Sequence, residues 1–159
     1  GLVIDYFALA GGYERQSDLS AAGFLPSQIE LGAPVVGMVL AEIVASDGAT
    51  VIHCHTGKDR TGYLVAMILA AIGVPDDHIV ADYVCTSAVF DQMMANLRAA
   101  DMGVPDDAPE YARHAPSADG VQAMMGRLRQ GWPDAVDYLV DHGVERELVV
   151  AARQRLTGD

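Results

Sequence analysis

Val51-Ile52-His53-Cys54-His55-Thr56-Gly57-Lys58-Asp59-Arg60-Thr61-Gly62 is the stretch whose reading decides the rest of this chain. A short apolar run ends in a cysteine, an arginine follows after five intervening residues, and a continuous apolar pattern at 63–72 begins at once. That order predicts a strand, a tight loop and a helix N-terminus, which together turn backbone N–H groups and the positive end of a helix dipole toward an anion. Gly57 allows the backbone to approach a ligand closely. Arg60 offers a planar fork that matches two oxygens of a phosphate. A cysteine in such electropositive surroundings is expected to be a thiolate at neutral pH. A nucleophile and a phosphate cradle in one loop imply phosphoryl transfer through a cysteinyl-phosphate intermediate.

Three plainer readings of the same residues are weaker. His53, Cys54 and His55 have metal-ligand chemistry, but neighbouring strand residues point to opposite faces, so only two of them could share an ion; no metal and no cofactor is expected. A nucleotide-binding Walker loop needs Ser or Thr after Gly57-Lys58 and a glycine where Ile52 stands, and has neither. A buried structural cysteine is the usual role of a lone Cys, but Lys58, Arg60 and a helix start surround this one.

The 159 residues suit one domain with a real core. A formal net charge of −12 argues against nucleic acid and anionic membrane surfaces as partners. Lys58 is the only lysine, so Lys58-Asp59-Arg60 is a local positive focus in a negative surround, and specificity must come from short-range contacts. Cys54 and Cys85 make no disulfide framework, and a reducing compartment suits a thiolate. Neither a secretory signal nor an apolar run long enough to span a bilayer is recognisable, so a soluble chain is expected, cytoplasmic or secreted without such a signal. The first residue is Gly rather than Met, which suggests a fragment or a processed product.

Along the chain, Leu2-Val3-Ile4 reads as a strand that Tyr6 to Leu9 extends, and residues 10–26 as a loop. Pro34 opens a helix whose stripe is Val36, Val39, Leu40, Ile43 and Val44. Residues 50–53 are the buried strand feeding the loop, and 61–72, apolar all round, is the expected central helix. Further helices carry Ile79, Val80, Tyr83 and Val84, then Phe90, Met93, Met94 and Leu97, then Val121, Met124, Met125 and Leu128. Two more are expected at 133–142 and 145–156.

His53-Cys54, five residues and Arg60-Thr61 resemble the signature of the cysteine-dependent protein tyrosine phosphatase superfamily. Gly57-Lys58-Asp59-Arg60-Thr61-Gly62 is similar to the bacterial subgroup of tyrosine and serine phosphatases with lipid-like substrates, and to phosphoinositide phosphatases. Ile79 to Tyr83, Asp137-Tyr138-Leu139 and Gly143-Val144 extend the likeness over most of 34–157. The resemblance implies an α/β phosphatase-type fold: a small, mostly parallel central sheet flanked by helices, with a helix-rich C-terminal half. It implies one phosphatase domain over 1–159 from a bacterial source. Only 53 residues precede Cys54, so N-terminal sheet strands are expected to be missing, and an exposed sheet edge would then invite self-association.

By that resemblance Cys54 is the nucleophile and Arg60 holds phosphate oxygens into the transition state. His55, Thr56, Gly57 and Lys58 line the cradle, with backbone N–H groups from His55 to Arg60. His53 supports the loop or simply packs, and Thr61 donates to the Cys54 sulfur or simply starts the helix. Asp59 is the candidate general acid, since no upstream acid loop is recognisable. Asp82 reads as a surface carboxylate, and Trp132-Pro133-Asp134 as a helix start, because in related enzymes such a tripeptide precedes the nucleophile. The Met-rich pieces between 90 and 128 are core or a lid. The expected function is hydrolysis of phosphotyrosine, with phosphoserine, phosphothreonine or phosphoinositides as further substrates. A phosphate-binding module without turnover is the alternative, and a sulfur-transfer or arsenate-reducing enzyme fits the arginine spacing and loop position less well.

Overall fold

In the computed structural model, residues 23–158 are described apart from 107 and 109. Their helices, in chain order, are α1 (Phe24–Gln28), α2 (Ala33–Ala45), α3 (Asp59–Ala71), α4 (Asp76–Cys85), α5 (Phe90–Ala99), α6 (Glu110–Arg113), α7 (Ala118–Gly131), α8 (Ala135–Asp141) and α9 (Arg146–Thr157). A 3₁₀ turn at Thr86–Val89 joins α4 to α5.

Helix α3 is central: α1, α2, α4 and α8 all pack on it. It buries Tyr63, Leu64, Ala66, Met67, Ile68 and Ala71, so its apolar residues surround most of the cylinder, as a helix without a solvent face requires. Each fully buried Leu, Met or Ile among them stabilises the fold by roughly 1.5–3 kcal/mol. Gly32 lets α2 start close to α3, since a Cβ there would meet the Tyr63 ring at 2.3 Å. The Tyr63 and Tyr138 hydroxyls, 3.2 Å apart, satisfy each other inside the core.

The stripe of α2 is buried at Val36, Val39, Leu40 and Ile43, while Val44 is exposed. Helix α7 buries Val121, Met124, Met125 and Leu128 against α1 and α4, which makes that Met-lined piece core. Helix α5 differs. It buries only Phe90 and Met94, both outside the main core cluster, and leans on the 3₁₀ turn.

Three sequence expectations need correction. The central parallel sheet is absent among the described residues: 50–53 has no strand pairing. Exposure does alternate there, with Val51, His53 and His55 outward and Ile52, Cys54 and Thr56 half-buried, as in an extended chain. Yet a sheet needs a neighbouring strand, and Val51, expected to be buried, is 80 % exposed. Second, the loop expected at 10–26 ends early, because α1 begins at Phe24. Pro26 is tolerated at its third position, where no helical N–H partner exists. Third, α8 starts two residues later than expected, with Asp134 as its cap and not inside its first turn. The strand expected at Leu2–Ile4 lies outside the described residues. Among the described residues no helix is long and apolar enough to cross a membrane.

Candidate active site

The loop before α3 holds the candidate residues in one turn of chain. Gly57 has φ +68°, a left-handed conformation that a side chain would strain, and it swings the chain from the 50–56 stretch into the helix. Lys58 is the N-cap, and its carbonyl accepts from the Gly62 N–H at 2.8 Å. The N–H groups of the first turn of this 13-residue helix lack carbonyl partners within the helix.

Cys54 lies half-buried at that helix start. Burial pushes its thiol up, but the Thr61 hydroxyl and N–H, the Arg60 guanidinium and the Gly57 N–H act against it and prevail, so the pKa lies below that of an ordinary thiol. Thr61 Oγ1 is buried and makes no hydrogen bond of standard geometry. Its action on Cys54 is that of a nearby hydroxyl dipole, and such contacts tighten when the reacting group ionises. Cys85, by contrast, is exposed on α4 and donates its thiol to the Ala81 carbonyl.

Lys58 is a buried cation, only 3 % exposed. Its ammonium donates to the His114 carbonyl at 2.5 Å, sits 3.4 Å from Asp59 Oδ1, and stands 5.3 Å from the Phe90 ring centre. Burial lowers its pKa, against the opposing pull of Asp59 and Cys54. Asp59, with a side chain 13 % exposed, is raised to about 6: burial raises it and outweighs Lys58 and Arg60, which lower it. A carboxyl at that value is partly protonated near neutrality, as a general acid must be.

The flanking histidines hold backbone. His53 Nδ1 is 3.1 Å from the Cys54 carbonyl and His55 Nε2 is 2.9 Å from the Met102 carbonyl, each a hydrogen bond in the tautomer that places the proton there. Thus Phe90, Met102 and His114, all from the chain between α4 and α7, touch the loop. A pattern search could not find two of these contacts, because they are made by carbonyls 47 and 56 residues away.

Beside the loop is a cleft of about 120 Å³ whose wall includes Gly57, Lys58, Thr61, Gly62, Asp82 and Tyr83. Asp82 stands exposed at its edge. Trp132-Pro133-Asp134 is remote in role: Asp134 accepts from the Asp137 N–H at 2.8 Å, and Trp132 donates to Asp141 and packs edge-on against Tyr138. Among the described residues no three His, Cys, Asp or Glu side chains are grouped so as to hold a metal ion.

A thiol of depressed pKa, an arginine and a helix start share one short loop, and the chain belongs to the tyrosine phosphatase family, whose profile matches residues 20–158. It is 31 % identical over 130 residues to a tyrosine-protein phosphatase of Nostoc commune, covering 77 % of this chain and 44 % of that protein. It is 30 % identical over 128 residues to the triple specificity protein phosphatase PtpB of Mycobacterium tuberculosis, covering 73 % of this chain and 46 % of that one. The chain thus spans less than half the length of these curated relatives. No solved structure gives a significant match.

Proposed function

We propose that this chain hydrolyses phosphomonoesters through a cysteinyl-phosphate, with phosphotyrosine as its main substrate and phosphoserine, phosphothreonine or phosphoinositides as further ones. The observation that carries this reading is the placement of Cys54 beside Gly57, Arg60 and Thr61 at the start of α3, which favours its thiolate. Membership of the tyrosine phosphatase family supports the class, and similarity to a triple specificity phosphatase supports the wider range.

In the first step the Cys54 thiolate attacks phosphorus, the P–S bond forms and the ester P–O bond breaks. The leaving oxygen takes the proton of Asp59. Arg60 and the loop N–H groups of His55, Thr56, Gly57 and Lys58 bear the charge on the phosphoryl oxygens, where it spreads in the transition state. In the second step Asp59 carboxylate takes a proton from water, the water oxygen bonds to phosphorus, and the P–S bond breaks. Thr61 eases the departure of the Cys54 sulfur, and His53 steadies the loop through the Cys54 carbonyl.

Release of phosphate from p-nitrophenyl phosphate tests the reading. Cys54→Ser should abolish turnover while vanadate still binds, because the cradle is backbone plus Arg60. Wild-type protein that binds vanadate but releases no phosphate would instead be a binding module. Iodoacetamide at about pH 6 should label Cys54 ahead of Cys85, and equal rates would contradict the environment assigned to Cys54.

A further inference from the structure

Asp59 and Gly62 are three residues apart on the first turns of α3 and therefore share a face of that helix. On this face lies the ring of Tyr83, from α4. A Cβ built on Gly62 would stand 2.4 Å from Tyr83 Cε2 and 2.8 Å from Cδ2, so the ring rests against bare backbone and any side chain at 62 would dislodge it. Tyr83 is half-buried, and Asp59 is close enough to act on it: burial first, then the Asp59 charge, hold the Tyr83 hydroxyl in its protonated form. Tyr83 also lines the cleft beside Thr61 and Gly62, whereas Asp59 is not among the residues of its wall.

We propose that Tyr83 is a positioning residue for Asp59, its ring seated on Gly62 so as to keep water off the Asp59 carboxyl. The proposal rests on Asp59 being the general acid. The charged groups facing Asp59 are Lys58 and Arg60 from its own turn, and both favour the carboxylate. From α4, Tyr83 is near enough to feel its charge and is neutral, while Asp82 lies exposed in the cleft wall; Cys54 acts on Lys58. Burial outweighs the two cations only as long as water is excluded. Without the ring, water enters, the cations prevail and Asp59 loses its proton at lower pH.

The test is a ¹³C titration of the Asp59 carboxyl in wild type, Tyr83→Phe and Tyr83→Ala, alongside the pH dependence of kcat/KM for an alkyl phosphate. Tyr83→Phe keeps the ring and should titrate as wild type. Tyr83→Ala should titrate about one pH unit lower, with the basic limb of kcat/KM moving down by the same amount. If Tyr83→Ala disturbs the fold, Gly62→Ala displaces the ring from the other side and should lower the titration in the same direction. An unmoved Asp59 titration in the folded variants overturns the positioning role and leaves the proposed acid standing. A basic limb that survives in Asp59→Asn overturns the acid, and the role of Tyr83 falls with it.

Discussion

Asp59 stands between two cations in sequence and still holds its proton up to about pH 6, because burial outweighs both. A carboxyl with a folded pKa above its ordinary value contributes stability below the unfolded pKa and loses it as pH rises through the folded one. The move from 3.8 to about 6 amounts to roughly 3 kcal/mol at 1.36 kcal/mol per pH unit, lost between about pH 4 and pH 6. Asp59→Asn should remove that slope, so urea titrations at pH 4 and pH 7 should differ less than in wild type. Losing the contact to buried Lys58, about 3–5 kcal/mol for a buried pair, offsets the gain at pH 7, so the signature is the slope and not the absolute stability. An unchanged slope would show that Asp59 is hydrated. On activity, the same variant should lose ~10²–10⁴-fold with an inositol or alkyl leaving group and only a few-fold with p-nitrophenolate, which departs unaided. Kinetics on the two ester classes decide it. The residues of this loop were legible because they are consecutive: spacing alone puts Cys54, Gly57 and Arg60 in one turn. Tyr83 was legible only as an inward residue of its helix, since its seat on Gly62 depends on how α4 crosses α3.

The helices were read well where a period of 3.6 coincided with a deep interface. Val121, Met124, Met125 and Leu128 were expected inward, and all are buried. The same pattern at Phe90, Met93, Met94 and Leu97 says nothing of how firmly α5 is held, and only Phe90 and Met94 are buried. A methionine stripe looks alike in both settings. Leu128→Ala should therefore cost about 2–5 kcal/mol in chemical denaturation. Leu97→Ala, at a half-buried site away from the main core, should cost about 1 kcal/mol or less. Equal losses would mean that α5 is as integral as α7. The strand reading at 50–53 failed for a different reason. Apolar alternation describes one chain, whereas a sheet is a relation between two, and no second strand stands beside these residues among those described. The start of α1 escaped because Pro26 reads as a breaker unless one knows that it falls in a first turn.

Taken whole, the chain carries a net charge of −12 around a loop containing Lys58 and Arg60. On the proposed function the long-range field repels polyanions while the near field attracts them, and salt screens the first more than the second. Raising ionic strength from about 0.02 M to about 0.2 M, which shortens the Debye length below about 10 Å, should lower KM for a soluble inositol polyphosphate more than for p-nitrophenyl phosphate. A KM that rises with salt for both would place the loop in control at long range as well. Because Lys58 is the only lysine of the chain, it is also the only side-chain amine. It is packed near Phe90 and tied to the His114 carbonyl. An acylating reagent reaches it only when those contacts part, and burial has already lowered its affinity for a proton. The mass increment on the peptide that carries Lys58, followed against time, would then clock how often α5 and the chain before α7 let go of the loop.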